Sequence, residues 1–206
     1  MKLYDFPFSP NCRKVRAVAY ELGITLEYAP VDLIKGDQRA PAFLAKNPNG
    51  RVPVLEDGAF VLWESTAIMR YLANGTALVP RDRREAAEMD RWIAWQLAHL
   101  GPAMSKVAFE RIVKKLTGRG TPDQARIDEG TAEFAAASAI LDRALEGREF
   151  VAGPLSLADF ALAAHYSLAA PAGLSLDPHP RVASWLQRVC ARDSMKRALA
   201  DAQGSR

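Results

Sequence analysis

Along the first 75 residues the apolar positions change period repeatedly. Lys2 to Phe6 has strand character. From Pro10 to Gly23, Val15, Val18, Ala19 and Leu22 recur at helical spacing, and Gly23 supplies a C-terminal stop. Leu26 to Val31 reads as a second strand. Strand, helix and strand joined by short links predict a right-handed βαβ unit with parallel strands. A polar stretch from Asp32 to Ala40 leads into a short helical piece at Ala42 to Lys46. Two further apolar runs, Val52 to Leu55 and Ala59 to Leu62, flank Glu56-Asp57-Gly58. Asp-Gly between such runs predicts a hairpin, because the turn needs positive φ. Ser65 to Ala73 then places Ile68, Met69 and Leu72 on one helical face. The predicted order is β-α-β-α-β-β-α.

Beyond Gly75 the pattern changes. Residues 78–86 contain Pro80 and the charged run Arg81-Asp82-Arg83-Arg84, and read as a linker. Strand signals then nearly vanish. Helices are predicted at Glu85 to Leu100, Pro102 to Leu116, Asp123 to Glu146, Leu157 to Ala170 and Pro180 to Ala191. Short helical connections suit an antiparallel bundle. The expectation is an α/β domain at 1–77, the linker at 78–86 and an all-α domain at 87–206.

Composition narrows the class. The 206 residues are 49% hydrophobic and 25% charged, enough apolar material for a sizeable core. The net charge is +3, and neither half is strongly basic, so there is no electrostatic footprint for nucleic acid. Two cysteines, Cys12 and Cys190, make no disulfide framework and no zinc spacing. His99, His165 and His179 form no ligand spacing, so no metal site is expected. The N-terminus lacks a signal-peptide core and no stretch is long enough to span a membrane. The expected location is the cytoplasm.

Ser9-Pro10-Asn11-Cys12 falls where the first strand gives way to the first helix. One reading is structural: Ser9 as N-cap and Pro10 at the first helical position, with a contribution of about 1 kcal/mol. The other is chemical. A helix N-terminus favours an anion, and a hydroxyl there can donate to a thiolate. A hydrogen bond to a charged group is worth ~1.5–3 kcal/mol and the helix end ~0.3–1, so a thiol pKa falls by roughly one to three units from ~8.5. Ser156-Leu157-Ala158-Asp159 before an apolar run reads as a capping box.

Taken together, these segments resemble the serine-type glutathione S-transferases. Ser9-Pro10-Asn11-Cys12-Arg13-Lys14-Val15 looks like that family's active-site turn, a Cys-Pro-x-Cys motif with serine in the first place. Gly36 to Leu44 and Asn47 to Leu55 are similar to its second-helix region and strand-initiating proline, and Glu64-Ser65-Thr66-Ala67-Ile68 to its γ-glutamyl-binding turn. Pro102 to Glu110 brings the likeness closest to the phi class, in a bacterial-looking cytosolic member.

The resemblance implies a thioredoxin-like N-terminal domain and a helical-bundle C-terminal domain. It implies that Ser9 is catalytic and activates the thiol of glutathione, the co-substrate, for attack on small hydrophobic electrophiles. Val52 and Pro53 match a cis-proline turn whose valine backbone pairs with the cysteinyl amide. Glu64 and Ser65 match the pair holding the γ-glutamyl amine and carboxylate. Gln38 and Arg39 stand where phi enzymes carry a His-Lys pair for the glycyl carboxylate; Arg39 keeps a bidentate cation. Phe8, Leu33, Met104, Phe109, Ile112 and Val113 are candidates to line an apolar substrate pocket. Cys12 reads as a buried structural thiol.

The family also implies a homodimer and a detoxifying role; Arg70, Glu88 and Arg91 are candidate interface charges. Three other functions fit the same residues. One is a glutathione-dependent isomerase, dehalogenase, ether-cleaving enzyme or peroxidase. Another is a non-catalytic binding module. A third, a glutaredoxin-like thiol reductase, is disfavoured by serine at position 9.

Overall fold

In the computed structural model, which describes residues 1–204, strands β1 (Lys2–Asp5), β2 (Glu27–Pro30), β3 (Val54–Asp57) and β4 (Phe60–Trp63) form one sheet in the order β2-β1-β3-β4. β1 and β2 are parallel and the other two pairings antiparallel. Helix α1 (Pro10–Glu21) makes the βαβ crossover, and α2 (Pro41–Leu44) and α3 (Ser65–Leu72) complete the order the sequence predicts. A short 3-10 turn, Asp37–Arg39, precedes α2.

Local chemistry accounts for the boundaries. Pro10 opens α1, and Gly23 closes it at φ 66°, where Gly23 N donates to Tyr20 O and Ile24 N to Ala19 O. Gly58 sits at φ 59° in the two-residue link between Asp57 and Phe60, the tight hairpin signalled by Asp-Gly.

The two faces of the sheet are covered differently. Leu3 and Leu55 are cross-strand partners, fully buried, on the face that carries α1, as the Asp5–Arg16 contact below shows. Tyr4 and Val54 point the other way, into a cluster of Val31, Phe43, Leu33 and Val52. Tyr4 meets Phe43 edge-on with ring centroids 6.3 Å apart.

α1 is buried along eight consecutive residues, Cys12 to Ala19, three of them basic. Arg16 explains its own burial. It holds Asp5 with two hydrogen bonds, Nε at 2.5 Å and Nη2 at 3.1 Å, and donates Nη1 to Asp201 at 2.6 Å. Its guanidinium stacks 3.8 Å from the Tyr28 ring, and Tyr20 also donates to Asp201 at 2.7 Å. Asp201 belongs to the last described helix, α10 (Asp193–Gly204), which packs along α1; the six α-helices between α3 and α10 follow below. The chain thus divides into two units: Met1–Val79 together with residues from Ala191 onward, and Pro80–Cys190.

The second unit is helical. α4 (Arg83–Trp95), α5 (Gly101–Ala108) and α6 (Lys114–Thr117) are joined by two π-helical turns, Gln96–Leu100 and Phe109–Val113, into one unbroken helical run. The sequence predicts a break at Gly101. Instead, Pro102, which lacks a donor and whose ring would press on the Ala98 carbonyl, is accommodated where the helix widens. α7 (Gln124–Ala144), α8 (Leu157–Tyr166) and α9 (Pro180–Cys190) complete the unit, and α10 (Asp193–Gly204) follows as the final helix. Every residue of α8 is buried, which makes it the central helix. Asp159 anchors it, accepting from Val151 N, Ser156 N and Trp185 Nε1 at 3.0, 3.0 and 2.9 Å.

A second tie fixes α10 to α1. Glu21, at the end of α1, accepts from Ser194 Oγ at 2.5 Å and forms a two-pronged pair with Arg192. Burial pushes the Glu21 carboxyl up, but the Arg192 and Ser194 hydrogen bonds outweigh it and hold it below its ordinary value. A depressed folded value stabilises the fold above the unfolded carboxyl range, near pH ~4.3, and the contribution disappears as pH falls through the folded value. Glu21→Gln is therefore expected to lower stability at pH 7 by about 1 kcal/mol, with the deficit vanishing below pH ~4. Denaturant melts of both proteins across this range check it; a deficit that does not depend on pH contradicts it.

Candidate functional site

The register Tyr4↔Val54↔Trp63 brings the end of β1, the start of β3 and the end of β4 to one edge of the sheet. β2 runs parallel to β1 and ends at the same edge, with Pro30 opposite Asp5. Glu64 directly follows β4, Pro53 directly precedes β3, Ser9 comes shortly after β1, and the 32–39 loop continues from β2. Four segments distant in sequence therefore meet where parallel strands of an α/β sheet ordinarily present ligands.

Ser9 precedes α1 in extended conformation, φ −71° and ψ 126°. Its backbone behaves as a cap residue: Ser9 N donates to Phe6 O at 2.8 Å and Arg13 N to Ser9 O at 2.9 Å. The side chain does not, since its oxygen accepts no hydrogen bond from the helix amides. The half-buried hydroxyl instead lies in hydrogen-bond contact with the Cys12 thiol. Cys12 is itself fully buried and receives Phe6 N–H at 3.4 Å. Burial, with the Asp5 carboxylate adding to it, pushes this thiol up to about 12, so it is not a nucleophile at neutral pH. The structural reading of Cys12 fits this geometry.

At β3 the Val52–Pro53 peptide is cis, and Val52 packs on the Phe43 cluster. Asn47 shapes the loop before it, its side chain donating to Arg51 O at 2.7 Å and accepting from Asn49 N at 3.0 Å. Gln38 and Arg39 lie beside this loop. A Cβ added at Gly50 would stand 3.1 Å from Gln38 O and 3.6 Å from Arg39 Nη1. The Gln38 side-chain oxygen is buried without a hydrogen-bond partner. Since amide oxygen and nitrogen exchange places readily, this side chain offers one unused polar group to a ligand.

Glu64 carries the clearest backbone signal. It is the one described non-glycine residue with positive φ, at φ 72° and ψ 107°, a conformation costing about 1–3 kcal/mol. This strained residue caps α3, and its carboxylate is exposed. Ser65, buried, opens the helix and its hydroxyl donates to Asn11 Oδ1 at 3.3 Å. The N-termini of α1 and α3 thus touch, and both present their positive ends at the same edge.

The candidate pocket residues lie in both units. Phe8 is half-buried against Phe6, ring centroids 5.3 Å apart, and Leu33 joins the Phe43 cluster. Met104 is buried in α5, whereas Phe109, exposed, and Ile112 and Val113, partly buried, sit in the second π-helical turn. π-helical turns recur at functional sites. Of the candidate interface charges, Glu88 and Arg91 pair with each other at 2.5 Å on α4. Among the described residues no cluster of His, Cys, Asp and Glu could hold a metal ion, and no helix is long and apolar enough to cross a membrane.

Comparison with known proteins assigns the family. The profile "Glutathione S-transferase, N-terminal domain" matches residues 3–78, and "Glutathione S-transferase, C-terminal domain" matches 124–188. Glutathione S-transferase 3 of Zea mays is 34% identical over 213 residues, covering 97% of this chain and 93% of that protein. The chain belongs to the glutathione S-transferase family. Among solved structures, glutathione transferase F7 of Populus trichocarpa superposes with TM-score 0.90 at 31% identity, covering 98% of each chain. Maize glutathione S-transferase I, solved with an atrazine glutathione conjugate, gives 0.89 at 29% identity, covering 100% and 99%. The protein is accordingly an enzyme with a phi-like glutathione S-transferase fold, and glutathione is its co-substrate.

Sequence reasoning missed two residues of the site's frame. Asn11 and Lys14 were read only as parts of the active-site-turn motif, with no role of their own. The available signal was an excess of basic residues, Arg13, Lys14 and Arg16, on a helix with apolar spacing.

Proposed function

We propose that Ser9 activates the glutathione thiol and that this protein conjugates the thiolate to small hydrophobic electrophiles. The supporting observation is the behaviour of Ser9, a cap residue by position whose hydroxyl does not cap. Released from capping, that hydroxyl can turn its O–H from the Cys12 thiol to an anion held at the sheet edge beside the first turn of the helix.

In this reading the first domain, 1–77, holds glutathione along that edge. Glu64 takes the γ-glutamyl ammonium, and the α3 N-terminus takes its carboxylate, with the Ser65 hydroxyl turning to it from Asn11. The Val52 backbone, next to Pro53, pairs with the cysteinyl amide. Arg39 faces the glycyl carboxylate, and the unpartnered Gln38 side chain adds a hydrogen bond. Ser9 then donates to the sulfur, whose proton is lost to solvent. The thiolate forms a bond to an electrophilic carbon, and the leaving group departs with the electron pair of the broken bond. No general base is required once the thiol is largely ionised. In the first unit, Phe8 and Leu33 are the proposed contacts for the electrophile.

A homodimer in the cytoplasm completes the reading. The dimer is supported by exposed apolar side chains on β4 and α3: Phe60 and Tyr71, in ring contact at 5.5 Å, and, on the opposite face of β4, Val61 and Trp63. A surface of this kind ordinarily faces another protein.

Two measurements check these proposals. Ser9→Ala is expected to lower kcat/KM for conjugation by about tenfold or more, ~1.4 kcal/mol, while the melting temperature stays close to wild type. Unchanged turnover with a lowered melting temperature refutes the role given to Ser9. Sedimentation equilibrium is expected to give twice the 22.5 kDa chain mass, reverting to one chain in Trp63→Glu/Tyr71→Glu. A monomer in the unmodified protein refutes the dimer.

A further inference from the structure

A fully buried lysine is rare, because removing an ammonium from water costs several kcal/mol unless something compensates it. Lys14 is such a residue, with no exposed surface. It lies on α1, three residues after Asn11 and therefore on the same helical face. Its Nζ donates to Thr66 Oγ1 at 3.4 Å, and the Glu64 carboxylate exerts the strongest attraction on it among the charges nearby. α1 thus meets the 64–66 turn at two points one helical turn apart: Asn11 against Ser65, and Lys14 against Thr66. Burial, the larger effect, draws the ammonium down to about 8 despite Glu64. The fold keeps a cation where it is expensive to keep one.

The turn above Lys14 has a particular electrostatic problem. A γ-glutamyl group arrives as a zwitterion. Glu64 attracts its ammonium but repels its carboxylate, which must settle at the N-terminus of α3 a few ångströms away. A positive charge beneath the turn offsets that repulsion, and a buried charge is screened far less than a surface one.

We infer that Lys14 is a positioning residue for the γ-glutamyl carboxylate of glutathione, its ammonium fixing the Thr66 hydroxyl and charging the floor of the 64–66 turn. This rests on the glutathione site proposed above. It predicts that Lys14 acts through its charge, on one end of one ligand.

The test is a cycle between Lys14→Met, nearly isosteric and neutral, and a glutathione analogue whose γ-glutamyl carboxylate is a carboxamide. Calorimetry of the full chain is expected to show glutathione binding weakened about tenfold by Lys14→Met, ~1.4 kcal/mol, and analogue binding changed less than twofold. In steady state the loss is expected in KM for glutathione, with kcat and KM for the electrophile retained. If the variant weakens both ligands equally, or neither, the inference is overturned. Should Lys14→Met fail to fold, Thr66→Val removes the hydroxyl the ammonium holds and reads the same cycle, with glutathione again the more affected ligand. Failure of the glutathione reading itself is distinguishable: the unmodified protein would then bind neither glutathione nor the analogue.

Discussion

The Arg16 guanidinium, buried between two carboxylates, fixes the part of the molecule on which the site depends. Asp5 is the last residue of β1, Arg16 lies in the middle of α1 and Asp201 near the end of the chain, so one side chain joins sheet, first helix and last helix. Desolvating three charges is unfavourable on its own, and the two-pronged Arg16–Asp5 pair, the Asp201 contact and the stacking on Tyr28 are what compensate it. Because each partner satisfies the others, α1 has one low-energy seat on the sheet. Its N-terminus, and Ser9 with it, is thereby held at the edge where the strands end.

From that seat the electrostatics of the site follow with little help from surface charge. The N-termini of α1 and α3 meet through Asn11 and Ser65, the Arg39 guanidinium approaches the loop that precedes Pro53, and Lys14 sits below the second helix end. A net charge of +3 over 206 residues gives the whole molecule only a weak field. The binding of an anionic thiol peptide therefore rests on local dipoles, one strained turn at Glu64 and a few charges placed at close range. Such interactions vary less with ionic strength than long-range steering does.

The element order of the first unit was legible because its determinants are local. Alternating and helical apolar periods, the Asp57-Gly58 turn, and Pro10 and Gly23 at the ends of α1 each act within a few residues. Ser9, Pro53 and Glu64 were legible as candidates through family likeness, and the strand register explains why residues so far apart share an edge. What local pattern does not carry is pairing across the chain. Arg16 and Asp201 lie 185 residues apart, and nothing in either neighbourhood announces the other. The packing of α10 on α1 and the burial of Lys14 have the same origin. The run from Arg83 to Thr117 was hidden for a different reason: Gly101-Pro102 is ordinarily a helix break, and only the π-helical turn before it lets the helix continue.

The central claim is that Ser9 stabilises a thiolate rather than capping a helix. Ultraviolet titration of the thiol of bound glutathione measures this directly, since the thiolate absorbs where the thiol does not. In the unmodified protein the bound thiol is expected to titrate roughly one to three units below its ordinary value of ~8.5, and in Ser9→Ala to return at least about one unit toward it. Indistinguishable titrations for the two proteins would contradict the account.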